Sequence, residues 1–410
     1  MWCGFNLYGL VNSKAKRAIQ GRRNLFIKLQ EDISRIKSSE NRIWFHSSSM
    51  GEFEQAKPII AELKKRIPTV QIIVSFFSPS GYEHSLSYKL ADVITYIPFD
   101  SYSNAKKFVD IIKPTAVVFV RYDIWPNHIW ALKLKNIPVF IISATMQAKM
   151  YRRIPILRQF IRSLYNNFDF ILTVSDNDKK MFDKFRLNRT VVQTVGDTRY
   201  DQVMMRSIAS KKKQLIDSKI LESNKVIVIG SSWSEDDEKL FPVIKQLIDK
   251  LKNLVIIWVP HEPTEENLEQ MEIKMNGKLT YIRFSHLHQY ENERIILVDS
   301  VGILMMLYQY AHVAYIGGGF GSGIHNVLEP ASYGVPILFG PRYSNSQESI
   351  ALLNNGGAYV VRDENELYNT FLMLLTDEKK RKNSGDFAQS LVTQNVGATA
   401  RVLTFLDKVF

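Results

Sequence analysis

The chain has 410 residues, 45% of them hydrophobic and 23% charged, with one cysteine, Cys3. That length asks for two domains, the lone cysteine excludes an internal disulfide framework and zinc fingers, and no apolar run is long enough to span a bilayer. A net charge of +12 calls for an acidic partner: nucleic acid, anionic lipid or a phosphorylated substrate.

Residues 1–11 are apolar and aromatic (Trp2, Phe5, Leu7, Tyr8, Leu10, Val11) and run at once into Lys14, Lys16, Arg17, Arg22, Arg23 and Lys28. No small-residue cleavage site follows, which speaks against a signal peptide. Two readings stay open for this segment: an anchor on an anionic membrane surface, or a helix docked on the protein's own core. From Asn41 the pattern turns regular. Strands are expected at 42–46, 71–76, 93–97, 116–120, 139–143, 170–174 and 191–195, each followed by a turn or an amphipathic helix. The first such helix places Phe53, Ala56, Ile59, Ile60 and Leu63 on one face. A helix between the fifth and sixth strands carries Arg152, Arg153, Arg158 and Arg162.

The lysine-rich stretch 207–224 lacks a core pattern and is taken as the boundary, giving an N-terminal segment 1–40 and domains 41–206 and 207–410. The second half restarts with a strand at 226–229 running into Gly230-Ser231-Ser232, and Ser234 with Asp237 reads as a capping box for a helix over 238–251. Further strands are expected at 254–259, 295–298, 311–316, 335–339 and 358–361, with helices over 364–375 and 388–409 closing the chain. Gly317, Gly318, Gly319, Gly321 and Gly323 follow the strand at 311–316, and a helix over 326–333 comes next. Glycines let a ligand approach main-chain amides, and the following helix N-terminus suits a phosphate. With His325, Asn326 and Glu329 beside them, these glycines mark a nucleotide site, Glu329 being placed to accept a ribose hydroxyl pair. The alternative is a tight corner that needs glycine for packing alone.

Strands alternating with helices in both halves describe an α/β protein of glycosyltransferase B type: two Rossmann-like, doubly wound domains facing a cleft, with an N-terminal membrane-associated helix. No aromatic-interleaved basic pattern accompanies the charge, so nucleic acid is not the expected partner. The eight histidines form no ligand pair on a helix, and His286 and His288 sit in a polar stretch, so no metal is expected.

Five blocks then agree on one family. They are Trp44-Phe45-His46-Ser47-Ser48-Ser49-Met50-Gly51-Glu52, Trp125-Pro126-Asn127, Gly230-Ser231-Ser232, Val259-Pro260-His261-Glu262-Pro263, and 318–341 with His325-Asn326-Val327-Leu328-Glu329-Pro330. The chain resembles the Kdo transferases of glycosyltransferase family 30, which move 3-deoxy-D-manno-octulosonate (Kdo) from CMP-Kdo to the lipid A precursor, lipid IVA, in lipopolysaccharide biosynthesis. The resemblance implies an inverting transfer with Glu52 as catalytic base, no cofactor, and a monotopic or peripheral place on the cytoplasmic face of the inner membrane. It puts Ser49, Gly51, Asp123, Arg152 and Arg153 on the acceptor side. It puts Ser231, Ser232, His261, Gly319, Gly321, Ser322, His325, Asn326 and Glu329 on the nucleotide side. Two departures stand out. Arg121 occupies the first acidic position of the family's acidic-x-acidic stretch, and Pro260 stands where the family has a basic residue. Two other readings compete: a transferase or epimerase of the same fold using a UDP-sugar, and a non-catalytic basic module on lipid or nucleic acid.

Overall fold

A computed structural model describes residues 13–36, 41–146, 155–344 and 346–409. The chain divides into two compact units, Met1–Gln202 with Val396–Phe410, and Val203–Asn395.

The first unit is built on seven parallel strands: β1 (Arg42–Ser47), β2 (Gln71–Phe76), β3 (Val93–Tyr96), β4 (Ala116–Val120), β5 (Val139–Ala144), β6 (Phe170–Thr173) and β7 (Val191–Thr194). Their spatial order is β3-β2-β1-β4-β5-β6-β7. A parallel sheet covered on both faces needs apolar side chains in both directions, and β4, reading AVVFV, is buried at every position. One face packs Ile43, Phe45, Val74 and Val118 against Phe53, Ala56, Ile60 and Leu63 of the helix Met50–Arg66. The other packs Trp44, Val117 and Phe119 against Phe108, Val109 and Ile112 of the helix Tyr102–Ile112.

The second unit repeats the plan with β8 (Lys225–Ser232), β9 (Leu254–Pro260), β10 (Tyr281–Arg283), β11 (Ile295–Leu297), β12 (Val313–Ile316), β13 (Ile337–Phe339) and β14 (Ala358–Val360), in the order β10-β11-β9-β8-β12-β13-β14. In each sheet the chain order reverses beside the unit's first strand. β1 lies between β2 and β4, and β8 lies between β9 and β12. The loops leaving the two strands at such a switch part company and leave a crevice at the carboxyl edge. That topology, and not any single motif, positions both candidate sites.

Three expectations are corrected, and the arginine-bearing helix is placed in part. Residues 396–410 belong to the first unit, because the closing helix breaks at Gly397 (φ +98) into Glu378–Asn395 and Ala398–Leu406. Val402, Leu403 and Leu406 join the Ile43–Phe45 core, and Asp201 accepts from the amides of Gly397 and Thr399. The boundary falls within the helix Thr198–Ser210, not in a linker. The helix after the glycine-rich turn is only Leu328–Ser332, too short and too far along to direct a dipole at Gly323. Finally, Arg158 and Arg162 donate to the carbonyls of Lys184 and Arg186, so they tie a helix to its neighbouring turn. Arg152 and Arg153 lie outside the described residues.

The basic N-terminal stretch also resolves in part. The helices Ser13–Gly21 and Leu25–Arg35 bury Ala15, Ala18, Leu25 and Leu29, so the basic stretch itself is docked; the apolar segment 1–11, for which two readings were open, lies outside the described residues. Arg22 is the anchor. Its guanidinium donates to the carbonyls of Ala18, Phe77 and Ile97 and lies 4.8–4.9 Å from the ring centroids of Phe77, Tyr96 and Phe99. Burial pulls its pKa down to about 10. No helix among the described residues is long and apolar enough to cross a membrane.

Arg22→Ala strips three carbonyls of their donor at once. Thermal or denaturant unfolding is expected to show a loss of about 2–4 kcal/mol. Arg23→Ala, on the exposed side of the same turn, is expected to stay within about 0.5 kcal/mol.

Candidate active site

At the carboxyl end of β1 the chain turns through Ser48 and Ser49 into the helix Met50–Arg66. Ser49 is the N-cap and Glu52 the third helical residue, and the two close a capping box. Glu52 Oε2 accepts from the Ser48 amide at 2.7 Å and the Ser49 amide at 3.2 Å. The residue is only 6% exposed, yet among the described residues Oε1 takes no hydrogen bond and is not one of the buried unpaired atoms, so it keeps solvent contact. Burial first, and the nearby Asp123 carboxylate second, raise the Glu52 pKa above the ordinary glutamate value; the two amides and Arg121 oppose them. A carboxylate fixed by one oxygen, open at the other and made more basic by its surroundings is equipped to take a proton.

Asp123 follows β4, across the switch. Its Oδ2 accepts from His46 Nε2 at 2.7 Å and from the Ser48 hydroxyl. These donors hold its pKa below the ordinary aspartate value although burial pushes the other way. The carboxylate assigned by sequence to the acceptor thus holds the β1 turn through one oxygen. Arg121, where an acid was expected, takes a left-handed backbone (φ +68) with its guanidinium 5.4 Å from the Tyr122 ring centroid. Gly51 is exposed, and a Cβ added there meets no atom within 4 Å, so packing does not require glycine. Trp125-Pro126-Asn127 has a local role: Asn127 bonds Asp100 through its amide and side chain, and His128 Nδ1 meets Asp100 Oδ1 at 2.8 Å.

The second unit holds its own cluster at the β8–β12 switch. The cap of the helix Ser234–Lys250 is Trp233, with Asp236 at the third position, one residue earlier than Ser234 and Asp237, because β8 runs on to Ser232. Asp236 is fully buried and accepts from the amides of Trp233 (3.0 Å) and Gly318 (2.7 Å) and the Tyr315 hydroxyl (2.8 Å). Asp237 accepts from the Trp258 indole, and burial lifts its pKa to about 6.

Above this base three rings stack. Trp233 and His261 lie 4.3 Å apart between centroids, and His261 and His325 lie 4.4 Å apart. The Trp233 indole donates to His325 Nε2 at 2.8 Å, which leaves the proton of a neutral ring on Nδ1. Burial, then the neighbouring His261, hold His325 below the usual histidine pKa. A cavity of about 250 Å³ opens beside the stack, lined by Gly230, Ser231, Tyr308, His325, Asn326 and Glu329, with Asn326 donating to Glu329 at 3.2 Å.

The nucleotide-side residues named from sequence therefore part into two groups. Ser231, His325, Asn326 and Glu329 line one cavity, with His261 stacked on His325. Ser232 is buried, its hydroxyl accepting from the Trp258 indole. Gly319 is closed by packing, since a Cβ there would lie 2.4 Å from the Gly340 amide nitrogen. Ser322 is exposed on the turn. Gly321 has room, a Cβ meeting the Glu235 carboxylate only at 3.6 Å, and its carbonyl accepts from Arg342. Sequence reasoning missed Trp233, Asp236 and Arg342; the ring stack joins residues 92 apart in the chain, which no local pattern reports. No group of three or more His, Cys, Asp or Glu that would hold a metal occurs among the described residues.

A family model described as 3-Deoxy-D-manno-octulosonic-acid transferase (kdotransferase) matches residues 23–202. The chain is similar to the 3-deoxy-D-manno-octulosonic acid transferase of Chlamydophila psittaci, 27% identical over 92% of this chain and 87% of the relative. It is 25% identical to that of Haemophilus influenzae over 89% of this chain and 86% of the relative. A bifunctional glycosyltransferase/methyltransferase of Fusobacterium nucleatum is 29% identical over 90% of this chain, which spans only 57% of that longer protein. Among solved structures, the UDP-GlcNAc 2-epimerase of Neisseria meningitidis matches with a TM-score of 0.63 at 17% identity, over 90% of this chain and 100% of that one. That of Methanocaldococcus jannaschii matches with 0.57 at 16% identity, over 89% and 99%. At such identities the likeness is one of fold.

The two glycines separate packing from ligand contact. Gly319→Ala is expected to cost at least about 2 kcal/mol in thermal unfolding because backbone must move, whereas Gly321→Ala stays within about 0.5 kcal/mol.

Proposed function

We propose, for a chain that belongs to the 3-deoxy-D-manno-octulosonic-acid transferase family, that it transfers Kdo from CMP-Kdo to a hydroxyl of the lipid A precursor with inversion, using Glu52 as general base. The observation that carries the reading is Glu52 itself: anchored through Oε2 by two amides, nearly buried, open at Oε1 and raised in pKa. In an in-line displacement the base takes the acceptor hydroxyl's proton as the sugar leaves CMP, and a carboxylate of raised pKa takes that proton more readily.

The donor belongs to the second unit in this reading. Glu329 and Asn326 take the ribose hydroxyls, His325 offers Nδ1–H as a neutral donor, and Ser231 offers a hydroxyl within the same cavity. Trp233, missed from sequence, fixes the His325 tautomer. Transfer needs no cofactor or metal here, since the base is a protein carboxylate and CMP leaves as a stable anion. The apolar residues 1–11 and the net charge of +12 support a place on an anionic membrane surface, where a phosphorylated, acylated acceptor resides. The UDP-sugar alternative has only the fold in its favour, and a fold does not fix a substrate.

Transfer from CMP-Kdo, generated in situ, to tetraacylated lipid A precursor tests the reading. Wild type is expected to form product, and Glu52→Gln to lose on the order of 10²–10⁴ in rate with its unfolding curve unchanged. A fully active Glu52→Gln sinks the base. A wild type that binds UDP in preference to CMP and forms no product sinks the substrate assignment.

A further inference from the structure

His46 is fully buried in β1, and neither the family motif's acid nor the nucleotide cavity accounts for it. Its ring joins a directed chain of hydrogen bonds. The Trp44 indole, which can only donate, gives its proton to Ser75 Oγ at 2.7 Å. Ser75 Oγ meets His46 Nδ1 at 2.8 Å, and the serine proton has no other acceptor among the described residues. His46 Nδ1 must therefore accept, and the ring's own proton sits on Nε2, 2.7 Å from Asp123 Oδ2. The same aspartate oxygen takes the Ser48 hydroxyl, and the Ser48 amide donates to Glu52 Oε2. Among the described residues Ser48 is thus the one that bonds both carboxylates.

We propose that His46 is a positioning residue: through Asp123 and the Ser48 hydroxyl it holds the turn whose amides carry Glu52. The relay ties β1, β2 and the loop after β4 to that turn, so the base is aimed by three segments of the sheet and not by the helix cap alone. It also decides which carboxylate is free to work. Two carboxylates this near each other compete for a proton. Asp123 has donors from His46 and Ser48 and stays an anion, so the proton from the acceptor goes to Glu52. The bland alternative is that His46 only fills space, its ring lying edge-on to Phe119 and Trp125 at centroid distances of 5.7 Å.

This inference rests on Glu52 being the base, and the test separates the two. In the full chain, His46→Phe keeps the ring and removes the nitrogens, whereas His46→Gln places an amide nitrogen at the same distance along the side chain as Nε2. With unfolding curves as the control, His46→Phe is expected to lower kcat on the order of 10–100-fold while KM for CMP-Kdo stays within about twofold. His46→Gln is expected to recover most of that loss. Long-range 15N–1H NMR of the wild type, assigned by the signal that His46→Phe removes, is expected to place the proton on Nε2. Equal losses in both variants, no loss in either, or a proton on Nδ1 overturns the relay. A wild type that transfers no Kdo while its His46 carries Nε2–H brings down the function reading and leaves the hydrogen-bond chain standing.

Discussion

A carboxylate at the third position of a helix, accepting the amide of that helix's own cap, sits at the switch point of each sheet. In the first unit it is Glu52 on Ser49; in the second it is Asp236 on Trp233. Helix starts leave amides unpaired, and a switch point gathers two such loop ends at one edge, so an acid is wanted there for structural reasons alone. The two acids part in how they are finished. Asp236 is sealed, its oxygens taken by the Trp233 and Gly318 amides and the Tyr315 hydroxyl, and it clamps the glycine-rich turn onto the first turn of its unit. Glu52 has the same anchor and keeps one oxygen open. One device therefore serves as a brace in one unit and, under the proposed function, as the base in the other.

The electrostatics around Glu52 follow from who else is held. Asp123 takes the His46 and Ser48 donors on one oxygen and is held as an anion, so it contributes a negative charge that lifts Glu52, while Arg121 opposes it from the same loop. A pair of interchangeable carboxylates would share a proton and blur the roles of acid and base. Here the His46 and Ser48 bonds to Asp123 remove that ambiguity. In the second unit a different rule applies to His325. A donor aimed at Nε2 excludes the imidazolium, so the cavity meets its ligand with a neutral ring.

Much of this was legible in the chain. Buried parallel strands show as continuous apolar runs, and every strand longer than three residues was found within about three residues of its ends. The Ser49–Glu52 capping box is local, so Glu52 and its turn could be named from residues 47–52. What escaped is non-local or marginal. β10 is three residues with only Ile282 buried, below what a period can signal. The return of 398–406 to the first core depends on Asp201, nearly two hundred positions away. The glycine cluster shows why composition alone misleads. Gly317 and Gly319 are needed because Ser231 and Gly340 backbone atoms occupy the space a Cβ would take, and Gly318 and Gly323 because their φ values are +89 and +130, so packing and backbone conformation explain four of the five. Arg22 looked like one more basic residue for an anionic surface and proves to be a buried pin.

The central claim is that one carboxylate, tuned by burial and by Asp123, takes the acceptor's proton. The acidic limb of kcat/KM reports the pKa of that group in the free enzyme, and protonated Glu52 is inactive, so activity must fall as pH drops through its folded-state value. For the wild-type chain transferring Kdo, the account predicts a limb clearly above the ordinary glutamate value of about 4.3. A limb at or below that value would mean that the working base is not the buried, raised Glu52.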